Sequence, residues 1–286
     1  MSAGQTSARR GLTIAITSGK GGVGKTTLAV NLAIALARFD VRVGILDANF
    51  GLGDVDVMFG LNPMLHIGSV LVGEKRLSDI GATTTAGVRV FPAGNGITSL
   101  TALPSAQWER LRADIADLGG TFDYLLVDTG PGIGDTALKV AQATDRAIVV
   151  TTCDPTAMVD AYVVTKLLVT AAPAREVGVV VNMARDAEEA RMVAHQLAQA
   201  VHQFLGASIR YYGFIDRDPQ VAESVLTQRP LMGRDTDAPS ALAFERLARR
   251  IASWRAPAAN VVPALTPQTA PMTPEEFARL EARSCA

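Results

Sequence analysis

Residues 19–27, Gly19-Lys20-Gly21-Gly22-Val23-Gly24-Lys25-Thr26-Thr27, have the types and spacing to hold a chain of phosphates. They fit G-x-x-x-x-G-K-[ST] between a predicted strand and a predicted helix, the context that this motif requires. Glycines let successive backbone N–H groups close around phosphate oxygens, and a helix N-terminus adds its positive dipole. Lys25 is placed to neutralise the β- and γ-phosphates, and the Thr26 hydroxyl to ligate Mg²⁺. Thr27 is placed to bond the α-phosphate. Lys20 is a second lysine inside the loop, close enough to the phosphates to require an anionic partner.

Two carboxylates belong to the same chemistry. Asp47 and Asp128 each end a predicted strand, where an open α/β sheet binds its ligand. Gly130, Gly132 and Gly134 follow Asp128 and supply a flexible segment able to respond to a phosphate.

The elements that must position these groups are short apolar strands alternating with helical stretches. Strands are predicted at 12–17, 41–46, 88–93, 122–128, 146–152, 177–182 and 209–215. Helices are predicted at 26–39, 105–118 and 187–205. Several strands are apolar at successive positions, as expected where helices cover both faces. The expectation is an α/β fold: a doubly wound, mostly parallel P-loop sheet with helices on both faces. One domain is expected over 12–255, after a short N-terminus (1–11). Residues 256–274 hold five of the chain's 14 prolines. That density opposes helix and sheet, so 256–286 reads as a linker and short tail.

Composition excludes several functions. In 286 residues, 27 basic and 28 acidic side chains leave a net charge of −1. Such balance argues against a large nucleic-acid face, so DNA is not an expected partner. Two cysteines, Cys153 and Cys285, cannot build a disulfide framework. No run approaches the roughly 20 apolar residues that span a bilayer, and a reduced, cytoplasmic protein is expected. Of the three histidines only His195 and His202 share a helix face, seven residues and two turns apart, too far to hold one metal with each other. His66 shares no spacing with them.

The loop GKGGVGKTT resembles the deviant Walker A motif of the MinD/ParA ATPases. The resemblance covers residues 12 to about 255 and implies ATP and Mg²⁺ as ligands. In that family the extra lysine, here Lys20, reaches across a nucleotide-sandwich dimer to the partner's ATP, which implies an ATP-dependent homodimer. Asp128 resembles the Walker B residue that orders Mg²⁺. Asn182, at its strand end, is expected by analogy to contact adenine, since an amide offers both donor and acceptor. Asp154 and Asp216 are weaker matches. The segment from Asp47 to Asp56 resembles the family's switch I, in which D-x-D precedes G-L. Asp47 matches the first acid, but Asn49 replaces the second, which positions the attacking water. An amide lacks basicity, and losing an oriented base costs ~10²–10⁴ in rate. Binding with slow hydrolysis is therefore expected, with Asp54 as a conceivable substitute base.

Within the family, DANFGLGDVDVMFGL, TTCDPTAMVDAYVVTKLL and the NMAR…QFL…YYG run resemble the flagellar-number regulator branch (FleN/FlhG). That resemblance implies partners such as an FlhF-like GTPase, a FleQ-like transcriptional activator or basal-body proteins. The N-terminus lacks the DQAxxLR-type activator helix, so an effect on the GTPase through that segment is not expected. DNA-partition and division-site regulators are the alternatives on this scaffold. Over 240–255, Phe244, Leu247, Ile251 and Trp254 form an apolar stripe flanked by Arg246, Arg249, Arg250 and Arg255. A core face is the expectation, with contact at the inner membrane or cell pole as the other reading. Iron–sulfur carriers need paired thiolates, and tyrosine kinases of this fold a tyrosine-rich tail. The last tyrosine here is Tyr212.

Overall fold

Strands that are apolar at consecutive positions must be covered on both faces. The computed structural model shows by what; it describes residues 11–50, 52–94 and 104–255. Among these, the strands are β1 (Leu12–Thr17), β2 (Val43–Ala48), β3 (Ala82–Thr83), β4 (Arg89–Phe91), β5 (Tyr124–Thr129), β6 (Arg146–Thr151), β7 (Glu176–Ala184) and β8 (Arg210–Asp216). They form one sheet in the order β3-β4-β2-β5-β1-β6-β7-β8, parallel except for the β3–β4 pair. The helices are α1 (Lys25–Ala37), α2 (Val55–Met58), α3 (Ile67–Leu71), α4 (Ser105–Thr121), α5 (Asp135–Gln142), α6 (Pro155–Ala171), α7 (Ala187–Leu205), α8 (Pro219–Leu226) and α9 (Pro239–Ala252).

The period-2 alternation of the strands divides the core. Ile14, Ile16, Leu126 and Ile148 pack on the face carrying α1 and α9. Ala15, Val149 and Val179 lie beneath α6 and α7, and Leu125 and Val127 beneath α4. Helix α1 is buried on nearly every side because it is enclosed between the sheet and α9.

Three details depart from the sequence reading or decide it. Strand β2 lies two residues later than 41–46, because the Arg42 backbone bonds Asp123 before the ladder begins at Val43–Tyr124. That ladder runs on through Asp47–Asp128 to Ala48–Thr129, so both carboxylates sit in register on adjacent strands. The two-residue strand β3 was not foreseen; it forms an antiparallel edge too short to show periodicity. The stripe on α9 is interior: Phe244, Leu247 and Ile251 are buried in the α1 layer. Trp254 packs on Tyr212 and lies under the Arg146 guanidinium, 4.4 Å from its centroid. The stripe is therefore not a membrane-facing surface. The expectations for residues 1–10 and 256–286 lie outside the described residues.

Candidate functional site

Strand β1 delivers the chain to the phosphate loop, and α1 begins at Lys25 directly after it. The loop turns through left-handed conformations at Gly22 (φ +76°) and Gly24 (φ +84°). Only glycine adopts these without strain. At Gly24 there is also no room, since a Cβ there would lie 2.2 Å from Asn182 Nδ2. Ser18 shapes the entry by donating to the Lys20 carbonyl at 2.9 Å, and Gly132 N donates to Ser18 O at 2.9 Å. The second bond ties the segment after Asp128 to the phosphate loop.

Thr26 Oγ1 donates to Asp128 Oδ2 at 2.7 Å. Lys25 is buried close enough to Asp128 to lower its pKa, but burial outweighs that pull and the carboxyl is held above its ordinary value. Asp47 is likewise raised, by burial and then by the facing Asp128. Two facing carboxylates in the dry end of the sheet favour a retained proton or a bound cation between them. Asp128 Oδ1 is buried and has no hydrogen-bond partner among the described residues. An orphaned carboxylate oxygen beside a threonine hydroxyl matches the hard oxygen donors that Mg²⁺ takes alongside phosphate and water. Both oxygens of Asp47 accept backbone N–H bonds, from Asn49 at 3.0 Å and Val55 at 3.1 Å. Asp47 thus organises the segment after β2 as well as facing the crevice.

Asn49 Nδ2 donates to the Leu52 carbonyl at 2.7 Å. A carboxylate at this position could not make that bond, so the amide is locally fitted. Asn49 Oδ1 lies 3.2 Å from where a Cβ on Gly130 would stand, so the segments after β2 and β5 approach each other there. Asp54 sits at the N-cap position of α2 without making a side-chain cap. Burial and Asp56 raise its carboxyl while Lys25 lowers it, which places it within electrostatic reach of the crevice.

Lys20 is held within its own chain. Its Nζ lies 3.5 Å from Asp154 Oδ2 and bonds Thr156 Oγ1. Asp154 caps α6, accepting from Thr156 N at 2.7 Å and Ala157 N at 3.4 Å, with Pro155 opening the helix. The D-P-T capping signature is visible in sequence, but nothing in the spacing links it to a lysine 134 positions earlier. Asn182, 7% exposed, donates from Nδ2 to the Val23 carbonyl at 2.7 Å and so braces the loop directly. Asn31 was missed by sequence reasoning: it bonds Thr27 O at 2.8 Å and receives Met232 N at 2.9 Å. An asparagine inside an apolar helix was the available signal. Burial, then Glu189, push the Cys153 thiol up to about 12, so it is not a reactive thiolate.

Lys25, Thr26, Asp47, Asn49, Asp128 and Asn182 thus converge around one loop, with Lys20 at its rim. This arrangement can cradle a triphosphate and a divalent cation. The family profile described as "CobQ/CobB/MinD/ParA nucleotide binding domain" matches residues 14–231. The chain is 37% identical over 245 residues to the antiactivator FleN of Pseudomonas aeruginosa, covering 86% of this chain and 88% of that protein. It is 34% identical to the flagellum site-determining protein YlxH of Helicobacter pylori, covering 71% and 69%. Its fold is similar to that of the cell division ATPase MinD of Pyrococcus furiosus, with a TM-score of 0.73, 25% identity and coverage of 85% and 99%.

Proposed function

We propose, for a chain that belongs to the CobQ/CobB/MinD/ParA nucleotide-binding family, an ATP-gated dimeric switch that sets flagellar number or placement. The observation that carries the nucleotide chemistry is the convergence of Lys25, Thr26 and Asp128 on the glycine loop. Thr26 and Asp128 would hold Mg²⁺, with Asp47 behind them; the ion would supply charge neutralisation at the β- and γ-phosphates. Loop N–H groups and Lys25 bind and orient the phosphates. Asn182 holds the loop in shape through Val23 and has its carbonyl oxygen left to accept from an adenine amino group.

Hydrolysis needs a water aimed at the γ-phosphorus, with the bridging P–O bond breaking and ADP leaving. Asn49 stands at the switch position for that water, but its amide takes no proton and its N–H already serves Leu52. Slow turnover follows, and the ATP-bound state is long-lived. Lys20 would leave Asp154 and Thr156 and reach the partner's phosphates, coupling nucleotide to dimer formation. The flagellar reading is supported by the likeness to YlxH, named as a flagellum site-determining protein, and by the likeness to the antiactivator FleN. An FlhF-like GTPase, a FleQ-like activator or a basal-body protein would read the dimer surface. Counting flagella per cell in a strain lacking this chain tests the reading. An altered number, restored by the wild-type chain but not by Lys25→Ala, is expected; a normal number in the deletion strain would contradict it.

A further inference from the structure

Asn31 lies in the second turn of α1, fully buried among Leu28, Val30, Leu32 and Ile34. A buried amide is costly unless its hydrogen bonds are made, and an apolar residue would fill this core position without that cost. Its two bonds lead in opposite directions. Nδ2 donates to Thr27 O at 2.8 Å, and Oδ1 accepts from Met232 N at 2.9 Å. In a regular helix the backbone N–H of Asn31 already reaches the Thr27 carbonyl, so the side chain adds a second donor there. The Thr27–Leu28 peptide carries the line onward, because Leu28 N donates to Gly24 O at 2.9 Å. Met232 N–H, the Asn31 amide, the Thr27–Leu28 peptide and the Gly24 carbonyl thus form one relay of hydrogen bonds, each polarising the next. The relay ends at the left-handed glycine where the phosphate loop enters α1.

The other end of the relay belongs to the short 3-10 turn Leu231–Gly233, between α8 and α9. That turn is pinned a second time on α1. Arg38 Nη2 donates to Met232 O at 2.7 Å, while Arg38 Nη1 pairs with Glu245 of α9 at 2.9 Å. Arg38 is the C-cap of α1, at the opposite end of the helix from the phosphate loop. Just before the turn, Arg229 N donates to Ser224 O at 3.0 Å, and Leu226 at the end of α8 is 85% exposed. The buried relay therefore joins the phosphate loop to a segment that reaches the surface.

We propose that Asn31 is a positioning residue that couples the phosphate loop to the Leu231–Gly233 turn. Phosphate held in the loop tightens the Met232 anchor, and a firm anchor holds Gly24 and Thr27 in the geometry that grips phosphate. The assignment rests on the nucleotide-binding reading above. Such coupling is reciprocal, so a change at either end is felt at the other.

The test is hydrogen exchange of the full chain with and without Mg²⁺ and ATP, resolved at the Met232 amide, together with calorimetric ATP affinity. It compares wild type, Asn31→Ser and Arg38→Met. In wild type, ATP should slow exchange at Met232 by about 5-fold or more beyond its effect at Phe244, a buried residue of α9 outside the relay. Asn31→Ser keeps a hydroxyl that back-bonds to the Thr27 carbonyl but is one atom too short for Met232. In that variant ATP should still protect the loop amides of residues 21–26, while exchange at Met232 stays within about twofold with and without ATP. Arg38→Met removes only the outer pin, on a side chain remote from the phosphates, and should weaken ATP binding by about 2- to 5-fold. If Asn31→Ser does not fold, wild-type exchange and Arg38→Met decide the matter. A Met232 amide that ATP does not slow in wild type, or that stays ATP-sensitive in Asn31→Ser, would overturn the coupling. So would an unaltered ATP affinity in Arg38→Met. A wild-type chain that binds no ATP by calorimetry and shows no protection of its loop amides would instead overturn the nucleotide reading.

Discussion

At the residue scale, the chemistry turns on the side chains that respond to charge. Asp47 and Asp128 face each other in register, both with raised carboxyl pKa values, and Lys25 alone does not offset them. Asp128 Oδ1, Thr26 and Asp47 would hold Mg²⁺ there, and the ion would offset that buried charge. Asn49 is the other decisive position. Asn49→Asp restores a charged base at the cost of the Leu52 contact. Steady-state phosphate release should rise by about 10²-fold or more, with ATP affinity changed far less. An unchanged kcat would show that this position does not limit turnover. The loop residues were legible because the motif fixes their spacing, whereas Asp47, Asn49 and Asp128 were read from predicted strand ends and from the family resemblance. The partners of Lys20 were not, since Asp154 and Thr156 come from the far side of β6 and meet it only in the folded chain.

At the element scale, hydrophobic period decided most of the architecture. Strands buried on both faces read as apolar runs, and β1, β6 and α7 fall where their patterns place them. The pattern was weakest where an element is short or where pairing sets the boundary, as in β3 and the shift of β2. It was also ambiguous on α9, whose stripe fits a core and a membrane surface equally well by period alone. Packing settles that ambiguity: Phe244 is 1% exposed and Ile251 fully buried, while Arg246 and Arg249 face outward. Phe244→Ala should therefore destabilise the fold by about 3–5 kcal/mol in urea unfolding, as for other large-to-small core substitutions. A loss below about 0.5 kcal/mol, the level of a surface substitution, would place the stripe outside the core.

At the scale of the whole molecule, the sheet brings β1, β2, β5 and β7 to one crevice, and the candidate phosphate-binding groups lie along it. The same edge exposes Leu52 and Ile133, one in each segment that follows a switch carboxylate. In the single chain Lys20 is satisfied internally, by a half-exposed ion pair of modest strength. On the proposed reading, Lys20 would exchange such a pair for a triphosphate of far higher charge, and that exchange would link ligand to assembly. Size-exclusion chromatography with light scattering, run with ATP, with ADP and without nucleotide, reads this link directly in wild type and Lys20→Ala. The account predicts a dimer for wild type with ATP and a monomer in every other case. A wild-type chain that stays monomeric with saturating ATP, or a Lys20→Ala chain that dimerises as well as wild type, would contradict it.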